Sequence, residues 1–290
     1  MNSMTKNSSS ICLNLNSSMR LNSNELIEKG EELSEKIVRS SKKVLPTLAR
    51  FCLVSTYIED SFRLIRDWDD QRNFFQGKWN IHYFLAIILL LYTIIIQSIA
   101  SIMILIRFKV DISCMMLLSV LFLQAILYRI NVDLSFLSWF LPFMGSLMLL
   151  YAESKVEYRK MFAGLPNLEE NRPRNILQLL GRIMVVLMFL SLVHFEFSWH
   201  QLVQLPIAGC LMILVTIGYK TKLSALLLFI WLNILNVWHN CFWTIDPAYQ
   251  FSRDGLRIQF FATLSVIGGL LMIVYLGPGG VSLDDYKKSY

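Results

Sequence analysis

Residues Ile81–Ile106 read IHYFLAIILLLYTIIIQSIASIMILI, 26 positions in succession without one formal charge. The hydrocarbon core of a bilayer is roughly 30 Å deep and takes about 20 mostly apolar helical residues to cross. A helix in the core of a soluble domain has no use for so long an apolar run. Similar uncharged runs follow at Ile112–Tyr128, Leu134–Ala152, Leu202–Tyr219, Leu223–Asn240 and Ile258–Leu276. The chain is 55% hydrophobic and 17% charged, against about 45–50% and 25% for a soluble domain. A soluble fold is excluded.

Two further spans carry charge. Val44–Leu64 is apolar apart from Arg50 near its start and Glu59-Asp60 near its end; Arg182–Phe197, entered through Ile176–Leu180, is apolar up to His194 and Glu196. The expected fold is therefore all-α, a polytopic membrane protein with eight transmembrane helices over 44–276 and both termini on one side. Residues 1–24, rich in Ser and Asn and without a compact apolar stretch, read as a disordered tail with no signal peptide. Residues 25–43 place Leu26, Leu33, Ile37 and Val38 among charges, the pattern of an amphipathic segment leading into the membrane. Residues 277–290 form a second tail.

Basic residues orient the spans. With a cytosolic N-terminus, nineteen of the 27 Lys and Arg fall in cytosolic segments and seven on the opposite side, with Arg50 inside a span. This is the positive-inside bias, and it accounts for the net charge of +6 without a nucleic-acid partner. The sequons Asn7-Ser8-Ser9 and Asn16-Ser17-Ser18 lie in the N-terminal tail, where cytosolic placement forbids glycosylation. The turns Arg107-Phe108-Lys109 and Lys220-Thr221-Lys222 occupy matching places, and spans one and five both run from an Arg to an acid. This faint duplication suggests two four-helix halves in parallel.

The five cysteines are odd in number and include no C-x-x-C. Cys52, Cys114, Cys210 and Cys241, in or beside spans, read as inert buried thiols. Nothing in the chain resembles a nucleotide loop, a metal cluster or a nucleophile–base set, so no enzyme, cofactor or metal is expected.

The chain ends Lys287-Lys288-Ser289-Tyr290. Lysines third and fourth from the carboxylate are the dilysine form of endoplasmic reticulum (ER) retrieval signal, an address read by the COPI coat. Gly277-Pro278-Gly279-Gly280 breaks the last helix and leaves a short flexible reach, on the side where basic bias puts the tail.

Ionisable and amide groups inside spans are costly and mark candidate sites. Glu59, Asp60, His194, Glu196, His239 and Asn240 fall at lumenal ends of spans one, five and seven. Asn233, Asn236 and Asn240 share one helix face at spacings of three and four. With Trp238, Phe242 and Trp243 they could line a lumenal pocket for a short peptide, aromatic rings taking apolar side chains and a carboxylate the free ammonium. The plainer reading pairs Glu59 and Asp60 with Arg63 and has the Asn residues knit helices together. His82, His194, His200 and His239 all lie near the lumenal interface, where a pH response is one reading and ordinary interfacial placement the other. Trp68, Trp79, Trp139, Trp199, Trp238 and Trp243 fit an aromatic belt. Residues 153–175 read as a solvated cytosolic loop.

Six stretches stand out as motifs: Ser55-Thr56 with Glu59-Asp60, Ala152-Glu153-Ser154-Lys155 with Met161-Phe162-Ala163-Gly164, Gly218–Lys222, Phe242–Ile245, Ser265–Leu271 and Leu276–Asp285 with the terminal lysines. Together they resemble the surfeit locus protein 4 family of ER cargo receptors. The likeness covers roughly residues 33–290. It implies a receptor that binds soluble secretory cargo in the ER lumen, loads it into COPII vesicles and returns through COPI, cycling through the ER–Golgi intermediate compartment and cis-Golgi. It also implies preference for cargo whose free N-terminus carries a hydrophobic–proline–hydrophobic tripeptide. Ser61 stands where that family has Gly, and the polar N-terminal tail is unusually long. The rival reading is a membrane transporter of a small solute or lipid in the same pathway, which membrane-embedded acids would also permit.

Overall fold

The structure is a computed structural model that describes residues 28–41, 44–128, 134–161, 171–192, 199–246 and 249–277. Every regular element among the described residues is helical. A short helix α1 (28–40) leads into α2 (Leu45–Arg66), followed by α3 (Trp68–Trp79), α4 (Tyr83–Ile106), α5 (Val110–Leu127), α6 (Leu134–Met161), α7 (Asn171–Leu192), α8 (Trp199–Ile217), α9 (Thr221–His239) and α10 (Gln250–Leu276). One 3₁₀ turn, Phe242–Thr244, joins the last two. The eight long helices α2 and α4–α10 correspond to the eight expected spans. Stretches 83–106, 110–127, 221–244 and 252–276 are long and apolar enough to cross a membrane, and α7 and α8 carry the shorter apolar stretches Gln178–Leu190 and Pro206–Ile217.

Exposed apolar surface shows which solvent the bundle meets. Phe84, Ile88, Leu91, Ile95, Ile99 and Ile102 all lie exposed along α4. A strip of that size on a monomer marks a lipid-facing wall. The centre is α10, 67% buried over its apolar window against 33% for α4 and 28% for α9. Its packing on α2 is the most extensive in the bundle and depends on absent side chains: a Cβ on Gly268 would stand 2.9 Å from both Ala49 O and Leu53 N. Small residues let membrane helices approach this closely. Thr56 Oγ1 and Ser265 Oγ meet across the same seam at 3.0 Å.

The expected duplication has a spatial counterpart. Helices α2, α4, α5 and α6 close into one ring of neighbours, and α7, α8, α9 and α10 close into another. The rings join through α2 against α10 and α6 against α7, as a pseudo-twofold axis requires. The tight turns agree in detail. Arg107 and Lys109 have φ of 63° and 43°; Gly218 and Lys220, each 111 residues on, have φ of 77° and 45°. Ser113 Oγ donates to Lys109 O at 3.3 Å, and Ser224 Oγ to Lys220 O at 3.2 Å.

Two local expectations are corrected, and one helix lies outside the expected spans. Residues 68–79, between the first two spans, form α3, folded back on the α4–α5 hairpin. Phe75 is buried beside Leu64, Leu90 and Leu127, Trp79 Nε1 donates to Leu127 O at 2.7 Å, and Tyr128 Oη to Gln71 Oε1 at 2.8 Å. Residues 153–161 belong to α6 rather than to a loop, and Glu153 is only 2% exposed. Cys52 and Cys114 are buried, but Cys210 is exposed on the bundle's outer surface.

Candidate functional site

The turns at 107–109 and 218–220 define a basic end of the bundle, and α2 carries ionisable side chains towards both ends. At the basic end Arg50 makes a bidentate ion pair with Glu153 of α6, Nε to Oε2 at 2.7 Å and the second guanidinium nitrogen to Oε1. Both side chains are almost wholly enclosed. A charge that enters a membrane span needs a counter-charge there, so Arg50 in the sequence was the signal for Glu153. Next to this pair Lys155 and Ser154 of α6 hold Asp111 of α5, at 3.0 and 2.8 Å.

At the opposite end the adjacent acids of α2 point apart. Asp60, 1% exposed, turns towards α4 and α5. Its Oδ2 accepts from Gln124 Nε2 at 2.7 Å and Gln97 Nε2 at 3.2 Å, and Oδ1 is paired with Arg63. Gln97 Nε2 also donates to Tyr57 O at 2.8 Å. Three helices are thus tied through one carboxylate that meets only donors.

Glu59, 5% exposed, turns towards α10. Arg257 Nε stands 3.5 Å from its Oε1, which makes no hydrogen bond. The Arg257 guanidinium lies 5.8 Å from the Phe242 ring centre. Phe242, Trp243 and Phe260 meet edge to face at 5.2–5.9 Å, and Trp243 is 52% exposed. Arg66 bridges from α2 to Asp254 of α10 at 2.8 Å. The result is a rim of aromatic rings and guanidinium groups over a carboxylate with a free lone pair.

The Asn residues of α9 do knit helices. Asn236 Nδ2 donates to Phe260 O at 3.2 Å, and Asn240 Nδ2 to Asn236 Oδ1 at 2.8 Å and Thr263 Oγ1 at 3.4 Å. Asn233 bonds instead to Phe229 O of its own helix, at 2.8 Å, and lines an open outer hollow with Trp238. His239 is exposed at the same end. Of the eight candidate pocket residues, Glu59, Asn236, Asn240 and Trp243 gather around α10, and Asp60 faces away. His194 and Glu196 lie outside the described residues, as do Lys287 and Lys288. Sequence reading missed Arg257, Phe260, Gln97 and Gln124. The two glutamines were detectable as amides stranded in the apolar runs 81–106 and 112–128, where a buried amide must find a partner.

Comparison with known proteins places this bundle. No solved structure matches it. The chain is 46% identical over 267 residues to the Surfeit locus protein 4 homolog of Drosophila melanogaster, covering 92% of this chain and 98% of that one. It is 32% identical to the ER-derived vesicles protein ERV29 of Saccharomyces cerevisiae, over 88% of this chain and 80% of that one. The Surfeit locus protein 4 homolog of Schizosaccharomyces pombe is also 32% identical, over 89% and 87% of the two chains. The SURF4 family pattern matches residues 24–290, which takes in α1, the whole helical bundle and the terminal lysines. This multi-pass membrane protein therefore belongs to the SURF4 family.

Proposed function

We propose that the protein is a sorting receptor without catalytic activity, which captures soluble secretory proteins in the ER lumen and loads them into COPII vesicles for the Golgi. Family membership and the likeness to a yeast protein named for ER-derived vesicles support this assignment of pathway. In that reading the basic end faces the cytosol and the Glu59–Arg257 end the lumen. The lysines at 287 and 288 then return the empty receptor through COPI.

The observation that carries the reading is the carboxylate under the aromatic rim. Glu59 Oε1 has no hydrogen bond, and its cation is held at 3.5 Å. A free N-terminal ammonium could displace Arg257 and form shorter, charge-assisted bonds. In this reading Phe242, Trp243 and Phe260 receive the apolar side chains that follow. Asp60, fully engaged by Arg63, Gln97 and Gln124, positions α2 rather than touching cargo, while His239, exposed at the same end, and the sequence candidates His194 and Glu196 complete the proposed cargo-binding set. This is the recognition of an extended peptide by alternate side-chain sites and a captured terminus.

Proximity labelling from the lumen tests it. Glu59→Gln should strip secretory proteins from the labelled set while leaving the receptor's abundance unchanged. An unchanged labelled set would reject Glu59 as the cargo ligand. Replacing Lys287 and Lys288 by Ser should move the receptor to later compartments and reduce secretion of its cargo. Mislocalisation with normal secretion would favour a transporter.

A further inference from the structure

Helix α1 has one face that the protein does not cover. Ser34 and Val38 are buried, Val38 within the main core. Near the other end of the helix Gly30 packs against Leu223, and Glu31 pairs with Lys220 at 2.9 Å and Glu35 with Lys222 at 3.3 Å. Leu45 N, at the start of α2, donates to Ser41 O, just past the end of α1, at 2.8 Å.

These contacts fix how the helix lies. One end of α1 meets the start of α2, and the other meets the α8–α9 turn. Both points are where spans begin and end, at the basic end of the bundle. From Gly30 to Val38 the helix covers about 12 Å at 1.5 Å per residue. A helix standing upright from α2 would carry Glu31 away from the Lys220 turn. A helix with both ends at that level lies across the end of the bundle, in the plane of the membrane surface.

Successive residues turn by about 100°, so the wheel can be read against burial. Ser34 and Val38 point into the bundle. Leu33 and Ile37, 61% and 53% exposed, occupy the adjoining arc on one side. The paired acids Glu31 and Glu35 occupy the arc on the other side. Beyond Leu33 and Ile37 come Lys29 and Lys36, both exposed, and then Glu28, Glu32 and Arg39. Exposed apolar residues resume at the start of α2 with Val44, 65% exposed, Leu48 and Phe51.

We propose that α1 is an interfacial helix bound to the phospholipid surface on the basic side of the membrane, with Leu33 and Ile37 among the acyl chains and Lys29 and Lys36 on lipid phosphates. An apolar arc bordered by lysines, in the plane of the interface, is the form that such helices take. Lysine stems lie along apolar surface while their ammonium groups reach phosphate level. The lipid is the occupant because the helix lies at the level where the spans end, and the helix that follows it presents exposed apolar residues from its first turns, Val44, Leu48 and Phe51. Glu31 and Glu35 complete the device by stapling the helix to the second half of the bundle. The inference depends neither on the cargo reading nor on which compartment the basic end faces.

The test uses the full chain in phosphatidylcholine proteoliposomes, with Cys12, Cys210 and Cys241 replaced by Ser. An environment-sensitive fluorophore is attached at Leu33→Cys, Ile37→Cys or Glu32→Cys. Nitroxide-labelled phospholipid should quench the first two at least about threefold more than the third, and aqueous iodide should show the reverse order. Equal quenching at all three positions, or iodide reaching 33 and 37 as readily as 32, overturns the proposal and leaves that face to a protein partner. A label-free arm guards against fluorophore effects. Leu33→Ser with Ile37→Ser should speed hydrogen exchange over residues 28–40 by about tenfold or more and leave α4 and α10 unchanged. No change there would also reject it.

Discussion

The two four-helix halves share a scaffold and differ in what they bury. A shift of 111 residues carries Leu117 and Leu121 of α5 onto Leu228 and Leu232 of α9, and Ile104 of α4 onto Val215 of α8, all six buried. The same shift carries Gln97 onto Ala208 and Ser101 onto Met212, again buried positions. The first half thus holds an amide and a hydroxyl where the second holds a methyl group and a thioether. Burial is common to both copies, while polarity belongs to one. That pattern separates residues that make the bundle from residues that give one end of α2 its charge network.

The basic end gives the largest contrast. Arg50 and Arg182 stand at matching places on α2 and α7, both buried. Arg50 meets a full carboxylate, Glu153. Arg182 lines a small cavity with Leu276 and Gly277, beside the carbonyl end of α10. Glu153→Ala leaves a buried guanidinium unpaired and should cost about 3–5 kcal/mol, read as a lowered unfolding temperature of the purified protein in detergent. Arg50→Met with Glu153→Leu should recover most of that loss.

Transplanting the polar core tests the second difference. Asp60→Asn replaces an acceptor for three donors by a group that itself donates, and should cost about 1–3 kcal/mol. Ala208→Gln puts the amide of the first half into the second, where no carboxylate among the described residues stands in the place of Asp60, and should cost a similar amount. The same melting measurement reads both. A neutral Ala208→Gln would mean that the second half is not packed as tightly as the first.

The inter-half seams should differ in a graded way. Gly268 of α10 faces backbone atoms of α2, whereas Gly145 of α6 faces the flexible side chain of Met188 on α7. Gly268→Ala should therefore cost about 1–3 kcal/mol, since neither backbone can yield without moving a helix. Gly145→Ala should cost less, because Met188 can change rotamer. Equal melting shifts would imply that α6 and α7 are as rigidly seated as α2 and α10.

Sequence pattern revealed the long helices because lipid demands an apolar run of fixed length, and a run such as 81–106 has no other use. Charge counting found Arg50, Glu59 and Asp60, which stand out against an apolar background. Their partners were harder to see. Gln97, Gln124 and Glu153 are brought to α2 by packing across 37, 64 and 103 residues, and no local pattern carries that information. Glu153 was further disguised by the charges after it, which look like a loop although α6 continues to Met161. Arg257 and Phe260 lie inside α10, at a face fixed only by the approach of α2 and the Phe242–Thr244 turn.

Helix α3 escaped for a different reason, and it has no counterpart of its own in the described second half. Its mean composition is polar, with Asp69, Asp70, Arg72 and Lys78 spread among its aromatics. Its stability comes from docking: Phe75 fills the gap between Leu64 and Leu127, and the Trp79 indole donates to Leu127 O at 2.7 Å. That bond also satisfies a carbonyl at the end of α5 that the helix itself leaves open. Trp79→Phe keeps most of the ring and removes the donor, so it should cost about 0.5–1.5 kcal/mol. The loss should be local, with faster hydrogen exchange across residues 68–79 and the end of α5, while exchange in α7–α10 stays as it was. If exchange rose across both halves alike, α3 would be part of the common scaffold rather than an addition to the first half alone.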